Sequence, residues 1–417
     1  MLPLLSASAP LPSTSGLQRA LGPLLRSAGL GSSVSAEVVD LATGDSLLSI
    51  APARPAVPAS SAKLLTGAAA LSLLGPTHRL ETAVVDGAGK DEIVLVGGGD
   101  VALAAGHGSP GAAVGRAGIL DLADQTVAAL RAQGRWTVAV RLDDTLFDGP
   151  AVNPAWSAGD VRGGFVAPVS ALAVNSGSAT PTTPLVPGKP AARASDPAMS
   201  AAQLLVAAIR REGVSVSGTV VRARAPGDGQ ELARVQSAPI GDLVEHALTD
   251  SDNTIAEALA RVVAATSGRP ATFVAAGAAV LDRVHLLGVP VAGARLSGGS
   301  GLGGGNEVPA QTLARLLVLA ASPAHPELRS LLTGLPVAGA SGTLADRFGT
   351  AADRAGLGAV RAKTGTLTGA SSLAGTVVDA DGRQLGFVLL ADEVSSTVAA
   401  RAALDAAAAT LAGCGCR

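Results

Sequence analysis

The sequence predicts an α+β fold in which the two ends of the chain build one antiparallel sheet and the middle is inserted between them. Three observations carry that expectation. Two strand-like runs lie near the start, VSAEVVD (Val34–Asp40) and SLLSI (Ser46–Ile50), around the turn residues Ala42, Thr43, Gly44 and Asp45. Three more lie near the end, AVRAKTGTLTG, SSLAGTVVDADG and RQLGFVLLAD, with Asp381-Gly382 as a hairpin signal. Between about residues 80 and 235 helices and strands alternate without a βαβ rhythm, which points to α+β insertions rather than a doubly wound sheet.

Each element has its own warrant. Residues 1–16 are Ser/Pro/Ala-rich and read as a disordered segment. They carry no basic n-region and too short an apolar run for a complete signal peptide. Leu17 to Ala28 reads as a helix with Leu17, Leu21, Leu24 and Leu25 on one face. PASSAKLLTGAAALSLLGP (Pro58–Pro76) follows, a helix apolar on nearly every side that must be buried, stopped by Gly75-Pro76. ETAVVDG and DEIVLVGGGD read as paired strands. A helix around Ile119–Arg131 then leads into the strand WTVAVRLDD.

Ser178–Ala198 reads as exposed loop, Met199–Glu212 as a helix and VSVSGTVVRARA as a strand. Helical periodicity returns at Ile240, Leu243, Val244, Ala247 and Leu248, and again at Ile255, Leu259, Val262 and Val263. A string of capping residues, Thr249 to Asn253, separates the two. Further helices are expected over about 270–287 and 309–321, and a last one from Ser396 to Leu411. The implied division is a catalytic domain of residues 17–80 and 236–417, with 81–235 as inserted accessory sequence, two domains by its texture.

Composition excludes several function classes. Apolar residues make up 48% of the 417, yet no uninterrupted apolar run of about 18 exists, so no transmembrane helix is expected. A net charge of −2 with 2% aromatics offers neither the basic footprint nor the stacking platforms of a nucleic-acid binder. There is no tyrosine, so no tyrosine base. The five histidines show no ligand spacing and no G-x-S-x-G elbow occurs, which disfavours a metal site and a Ser-His-Asp hydrolase. The Gly-rich run Gly298–Gly305 lacks a phosphate-loop lysine and reads as a plain loop. Cys414 and Cys416 form no zinc framework; a bridge between them or to another chain, or a tail without catalytic part, are the readings open.

Chemistry concentrates in three short motifs. Ser60 and Lys63, three apart at the predicted start of a buried helix, form a candidate activated nucleophile. Alone this means little, because serine caps helices and lysine snorkels to water. Ser251-Asp252-Asn253 sits in the inter-helix break, and Lys363-Thr364-Gly365-Thr366 on a predicted strand, where Gly365 allows another backbone to approach. Lysine occurs only four times, at 63, 90, 189 and 363, and asparagine only four times. Two of those lysines and one asparagine fall within the ordered set S-x-x-K, S-x-N, K-T-G, which signals serine acyl transfer.

On these motifs the chain resembles the penicillin-recognising serine acyl-enzymes. Within them it looks like the low-molecular-mass class C penicillin-binding proteins, the D-alanyl-D-alanine carboxypeptidase/endopeptidase (DacB-type) family. LVGGGDVAL, DDTLFDGPAVNPAW, APVSALAVNSG, SGLGGGNEVPA and GLPVAGASGTLADRF add to the likeness, as does the gap of roughly 190 residues between Ser60 and Ser251. Gly298-Gly299 stands where the family often has Asp-Gly, and Ser341 where it often has Asp.

The resemblance implies a penicillin-binding/β-lactamase-like transpeptidase domain, a five-stranded antiparallel sheet with helices, carrying inserted domains between the first and second motifs. It implies a serine D-Ala-D-Ala carboxypeptidase, with endopeptidase activity as a further option, that acts on peptidoglycan stem peptides and is acylated by β-lactams. Ser60 would be the nucleophile, Lys63 its base, with an amine kept neutral by burial and by Lys363. Ser251 would be the proton relay and Asn253 would bind the substrate amide. Lys363, Thr364, Gly365 and Thr366 would receive the terminal carboxylate, and the backbone N–H groups of Ser60 and Thr366 would form the oxyanion hole. No cofactor or metal is implied, and the place of action is extracytoplasmic. Two rivals stand beside this reading. One is a β-lactamase or esterase using Glu245 or Glu257, although both fit helix-surface roles better. The other is a non-catalytic cell-wall or β-lactam-binding module.

Overall fold

The structure is a computed structural model that describes residues 9–183, 185–186 and 189–416. The chain forms two compact units. The first takes the chain up to Leu73, Val244–Ser251 and everything from Gly277 onward; the second takes Leu74–Leu243 and Asp252–Ala276.

The first unit is built on a five-stranded antiparallel sheet. Its strand order is Val360–Leu367, Ala370–Val378, Gln384–Asp392, Ser33–Asp40, Ser46–Ile50. Both chain ends therefore meet in one sheet, as the two groups of strand-like runs predict. The strand Ala370–Val378 is buried from Ala370 through Val377, so side chains on both of its faces are covered. The helices Thr14–Leu25 and Thr397–Ala412 pack on each other and on this sheet. Leu17, Leu21 and Leu404 join Val38, Leu373 and Phe387 in one apolar core. Helix Ala310–Ala321 packs on strands Ser33–Asp40 and Gln384–Asp392. No described helix is long and apolar enough to cross a membrane.

Two local differences from the sequence reading have clear causes. Residues 1–8, expected to be disordered, lie outside the described residues, but Thr14–Gly16 already belong to the first helix. Ser13 caps that helix by accepting from Gly16 N at 3.0 Å, and its own N–H donates to Cys416 O. The helix ends at Leu25 rather than Ala28, where a 3₁₀ turn capped by Ser27 takes over. Cys414 and Cys416 are paired with each other.

The second unit has a mixed five-stranded sheet in the order Ser215–Arg222, Thr137–Asp143, Glu92–Gly97, Arg79–Asp86, Glu231–Pro239. Here the expectation of no βαβ rhythm is corrected. Glu92–Gly97 and Thr137–Asp143 pair in parallel across the helix Ile119–Ala132, and Thr137–Asp143 and Ser215–Arg222 pair in parallel across the helix Pro197–Arg211. Long irregular connections, including residues 98–118, hide the period in the sequence. The strand Glu231–Pro239, which pairs antiparallel with Arg79–Asp86, was not anticipated. The two crossover helices pack together over Leu95, Val138, Leu122, Val127, Leu205 and Ile209.

Candidate active site

Ser60 lies on a 3₁₀ turn, Ala59–Ala62, that runs directly into the α-helix Lys63–Leu74. The helix is buried without a break from Lys63 to Leu71 because it has no polar face to expose. Ala59, just before the nucleophile candidate, holds φ +45°, a conformation that costs a non-glycine residue about 1–2 kcal/mol. Several contacts hold it there. Ser372 Oγ donates to Pro58 O at 2.7 Å and meets Ser61 Oγ at 2.9 Å. Val57 N donates to Asp392 Oδ1 at 3.1 Å. The turn is thus fastened to two strands of the sheet.

Lys63 is 1% exposed, and its Nζ donates to Ser60 Oγ at 2.9 Å and to Ser300 O at 3.0 Å. The loop bearing Ser300 is the Gly-rich run read from sequence as a plain loop. It closes over the helix: Thr66 Oγ1 donates to Gly299 O, and a side chain at Gly301 would collide with Ala59 O.

Lys363 comes from the edge strand Val360–Leu367 and is fully buried. Its Nζ donates to Ser251 Oγ at 3.0 Å and to Thr364 O at 2.9 Å. Burial holds the Lys363 ammonium well below its ordinary pKa, the charges of Lys63 and Arg347 add to this, and Asp250 opposes it. Ser251 itself sits at φ +59°, two residues past the end of the helix Ile240–Thr249. Thr364 Oγ1 shares a 2.7 Å hydrogen bond with Thr343 Oγ1, and Thr366 Oγ1 accepts from Arg401. Gly365 pairs with Ser372 across the ladder, where a Cβ would run into Ser372 Oγ and Pro58 O.

Ser60, Lys63, Ser251, Lys363, Thr364, Gly365 and Thr366 therefore all belong to the first unit, tied through Lys63–Ser60 and Lys363–Ser251 contacts. Asn253 belongs to the second unit, as the first residue of the helix Asn253–Thr266; its Nδ2 donates to Phe165 O at 3.0 Å. The two lysines outside the motifs, Lys90 and Lys189, are exposed. Sequence reasoning did not single out Ser300, Thr343, Ser372 or Arg401. Only Ser300 and Thr343 fell inside stretches quoted for the family likeness.

Glu257 corrects an expectation: it is fully buried in its helix rather than on a surface, facing the Arg261 charge one turn on. Glu245 accepts from Thr333 Oγ1. Among the described residues one group brings three potential metal-ligand atoms within 4.8 Å, His107, Asp121 and Asp124, with His107 and Asp124 exposed. His107 Nδ1 and Asp121 Oδ1 are 2.7 Å apart, an ordinary surface ion-pair geometry.

Comparison with known proteins fits this arrangement. The family model of the D-Ala-D-Ala carboxypeptidase 3 (S13) family matches residues 17–192 and 185–412. The carboxypeptidase DacB of Mycolicibacterium smegmatis is 40% identical over 412 residues, 98% of this chain and 86% of the relative. The D-alanyl-D-alanine carboxypeptidase of Actinomadura sp. strain R39 is 31% identical over 93% of this chain and 84% of its own. The crystal structure of penicillin binding protein 4 from Haemophilus influenzae shares the fold with a TM-score of 0.75 at 23% identity, over 96% of this chain and 98% of that one. With its sheet joined from both chain ends and its three motifs in order, this chain belongs to the D-Ala-D-Ala carboxypeptidase 3 (S13) family.

Proposed function

We propose that the chain is a serine D-alanyl-D-alanine carboxypeptidase that cleaves peptidoglycan stem peptides through an acyl-enzyme on Ser60. The observation that carries this is the 2.9 Å contact from the buried Lys63 Nζ to Ser60 Oγ at a helix start. Ser60 Oγ attacks the carbonyl of the penultimate D-Ala, and Lys63 takes its proton. That step needs a free amine. Two buried ammoniums of like charge are costly to keep together, which supports one neutral amine in the Lys63–Lys363 pair. The base is assigned to Lys63 because its Nζ is the one against Ser60 Oγ.

Ser251, held by Lys363, passes a proton to the departing D-Ala nitrogen, and Asn253 binds the substrate amide. Thr364 and Thr366, with Lys363 beneath them, receive the terminal carboxylate. The N–H groups of Ser60 and Thr366 stabilise the oxyanion. Water then hydrolyses the ester, releasing the shortened peptide and regenerating Ser60. A β-lactam would acylate Ser60 the same way and leave slowly. The carboxypeptidase names of the S13 relatives support the reaction class, and the β-lactam complex of the Haemophilus influenzae protein supports the inhibitor class. The substrate's location makes the proposed place of action extracytoplasmic. We further propose residues 17–80 and 236–417 as the catalytic domain and 81–235 as an accessory insertion, supported by the sheet that both chain ends form.

Labelling with a fluorescent penicillin, followed by intact mass and a D-Ala release assay, tests the reading. Wild type is expected to form a persistent adduct and release D-Ala, and Ser60→Ala to do neither. An adduct on folded Ser60→Ala would overturn the assignment of the nucleophile. Rapid drug turnover by wild type would move the chain to the β-lactamases.

A further inference from the structure

Arg401 lies on the helix Thr397–Ala412 and points one edge of its guanidinium at the motif strand. Its Nε and Nη2 both donate to Thr366 Oγ1, at 3.3 and 3.2 Å. That edge carries two parallel donors, spaced for the two oxygens of a carboxylate. A single neutral hydroxyl uses it poorly, and both distances exceed the roughly 2.7–2.9 Å of charge-assisted bonds. Asp405, one helical turn on, is the acid placed to neutralise Arg401. Both Asp405 oxygens are instead occupied by Arg347, at 3.0 and 2.5 Å. Among the described residues Arg401 is within ion-pair distance of no carboxylate, and it remains exposed to solvent.

Lost hydration and the Arg347 charge lower the Arg401 pKa from the ordinary value, and the Asp405 charge opposes them. Two guanidiniums, Arg347 and Arg401, thus lie near the one carboxylate of Asp405, and Arg347 holds both of its oxygens. A second anion beside Thr366 would relieve the repulsion between them.

Resting on the acyl-enzyme reading above, we propose that Arg401 is a substrate-binding residue, the exposed cation that grips the terminal carboxylate of the substrate beside Thr366. Lys363, wholly buried and engaged by Ser251 and the Thr364 carbonyl, sets the potential from beneath; Arg401 supplies the direct two-donor contact. The residue is exposed before binding and its fork is held only by the two long contacts to Thr366, so one carboxylate oxygen displaces them while the hydroxyl turns to donate. Specificity for a free C-terminal carboxylate over an amide or ester follows from this one side chain.

The test compares acylation of Ser60 by benzylpenicillin, which has a carboxylate, with acylation by its methyl ester, which has none. Arg401→Gln is expected to slow the first by roughly 10- to 100-fold and to leave the second within about 2-fold. Arg401→Lys should keep part of the preference, since it retains the charge but not the fork. Equal losses with both compounds would show that Arg401 merely positions Thr366 and would overturn the proposal, as would no loss with either. Failure of wild type to form a Ser60 adduct at all would instead remove the acyl-enzyme reading, and this inference with it.

Discussion

Lys363 shows how one buried cation links the site to the stability of the molecule. Its folded pKa lies well below 10.5, through burial first and the Lys63 charge second. Between the lowered value and 10.5 the unfolded chain holds a proton that the folded chain lacks. Stability must then rise with pH across that window, because the unfolded state binds more protons. Lys363→Met keeps the length and the burial but removes the titration. The variant is expected to show a flatter stability–pH profile than wild type in urea denaturation as the pH is raised toward 10.5, by at most about 1.4 kcal/mol per pH unit. It should also lose the hydrogen bond that orients Ser251, and acylate more slowly. Parallel profiles for the two proteins would mean that Lys363 titrates alike folded and unfolded.

At the level of elements, the site depends on how closely the Ser60 turn can lie against the strand Val360–Leu367. Gly365 sets that distance. A methyl group there would meet Ser372 Oγ and come within 2.8 Å of Pro58 O and 2.9 Å of Ala59 Cβ. The same serine fastens Pro58 and Ser61, so the collision falls on the contacts that keep Ala59 at positive φ. Gly365→Ala is expected to cost about 1–3 kcal/mol and to slow penicillin labelling of Ser60, since the turn must back away from the strand. Unchanged labelling with an unchanged melting temperature would show that the turn has slack. Ser372 and Thr343 could not have been picked out beforehand: serine and threonine are common in this chain, and their roles exist only once the strands are in register. Ser60, Lys63 and Lys363 were legible for the opposite reason, because lysine is so scarce that its placement carries information. Caps and turn residues likewise made the two terminal groups of strands and most helices readable. The parallel crossovers of the middle were not, since their defining pairings join residues far apart across irregular connections.

Over the whole molecule, the second unit owes its irregular part to a residue that no motif marks. Arg261 is 1% exposed and spends its guanidinium on three carbonyls, Ala271 O at 2.8 Å, Val169 O at 3.0 Å and Asp148 O at 2.7 Å. Its Cζ lies over the rings of both Phe147 and Phe273, 4.6 Å from each centroid. One side chain thereby collects three segments that form no ladder with one another, two of them within the stretches DDTLFDGPAVNPAW and APVSALAVNSG. Burial lowers its pKa to about 10, still leaving it charged at neutral pH, with buried Glu257 as a compensating charge. Arg261→Met would take the arginine donor from three carbonyls, of which Ala271 O keeps a bond from Asp148 N, and remove the cation facing Glu257. The expected loss is about 3–5 kcal/mol, read as a lower urea midpoint. Arg261→Lys should recover only a fraction, because an ammonium lacks the planar fork that reaches three carbonyls and stacks on aromatic faces. The proposed nucleophile Ser60 and its base Lys63 belong to the first unit, so below the new midpoint the Arg261→Met protein should still take a penicillin adduct on Ser60. An unshifted midpoint would show that the three carbonyls find other donors, and that packing and the remaining hydrogen bonds, such as Ala271 N to Asp148 Oδ2, suffice to hold the irregular segments.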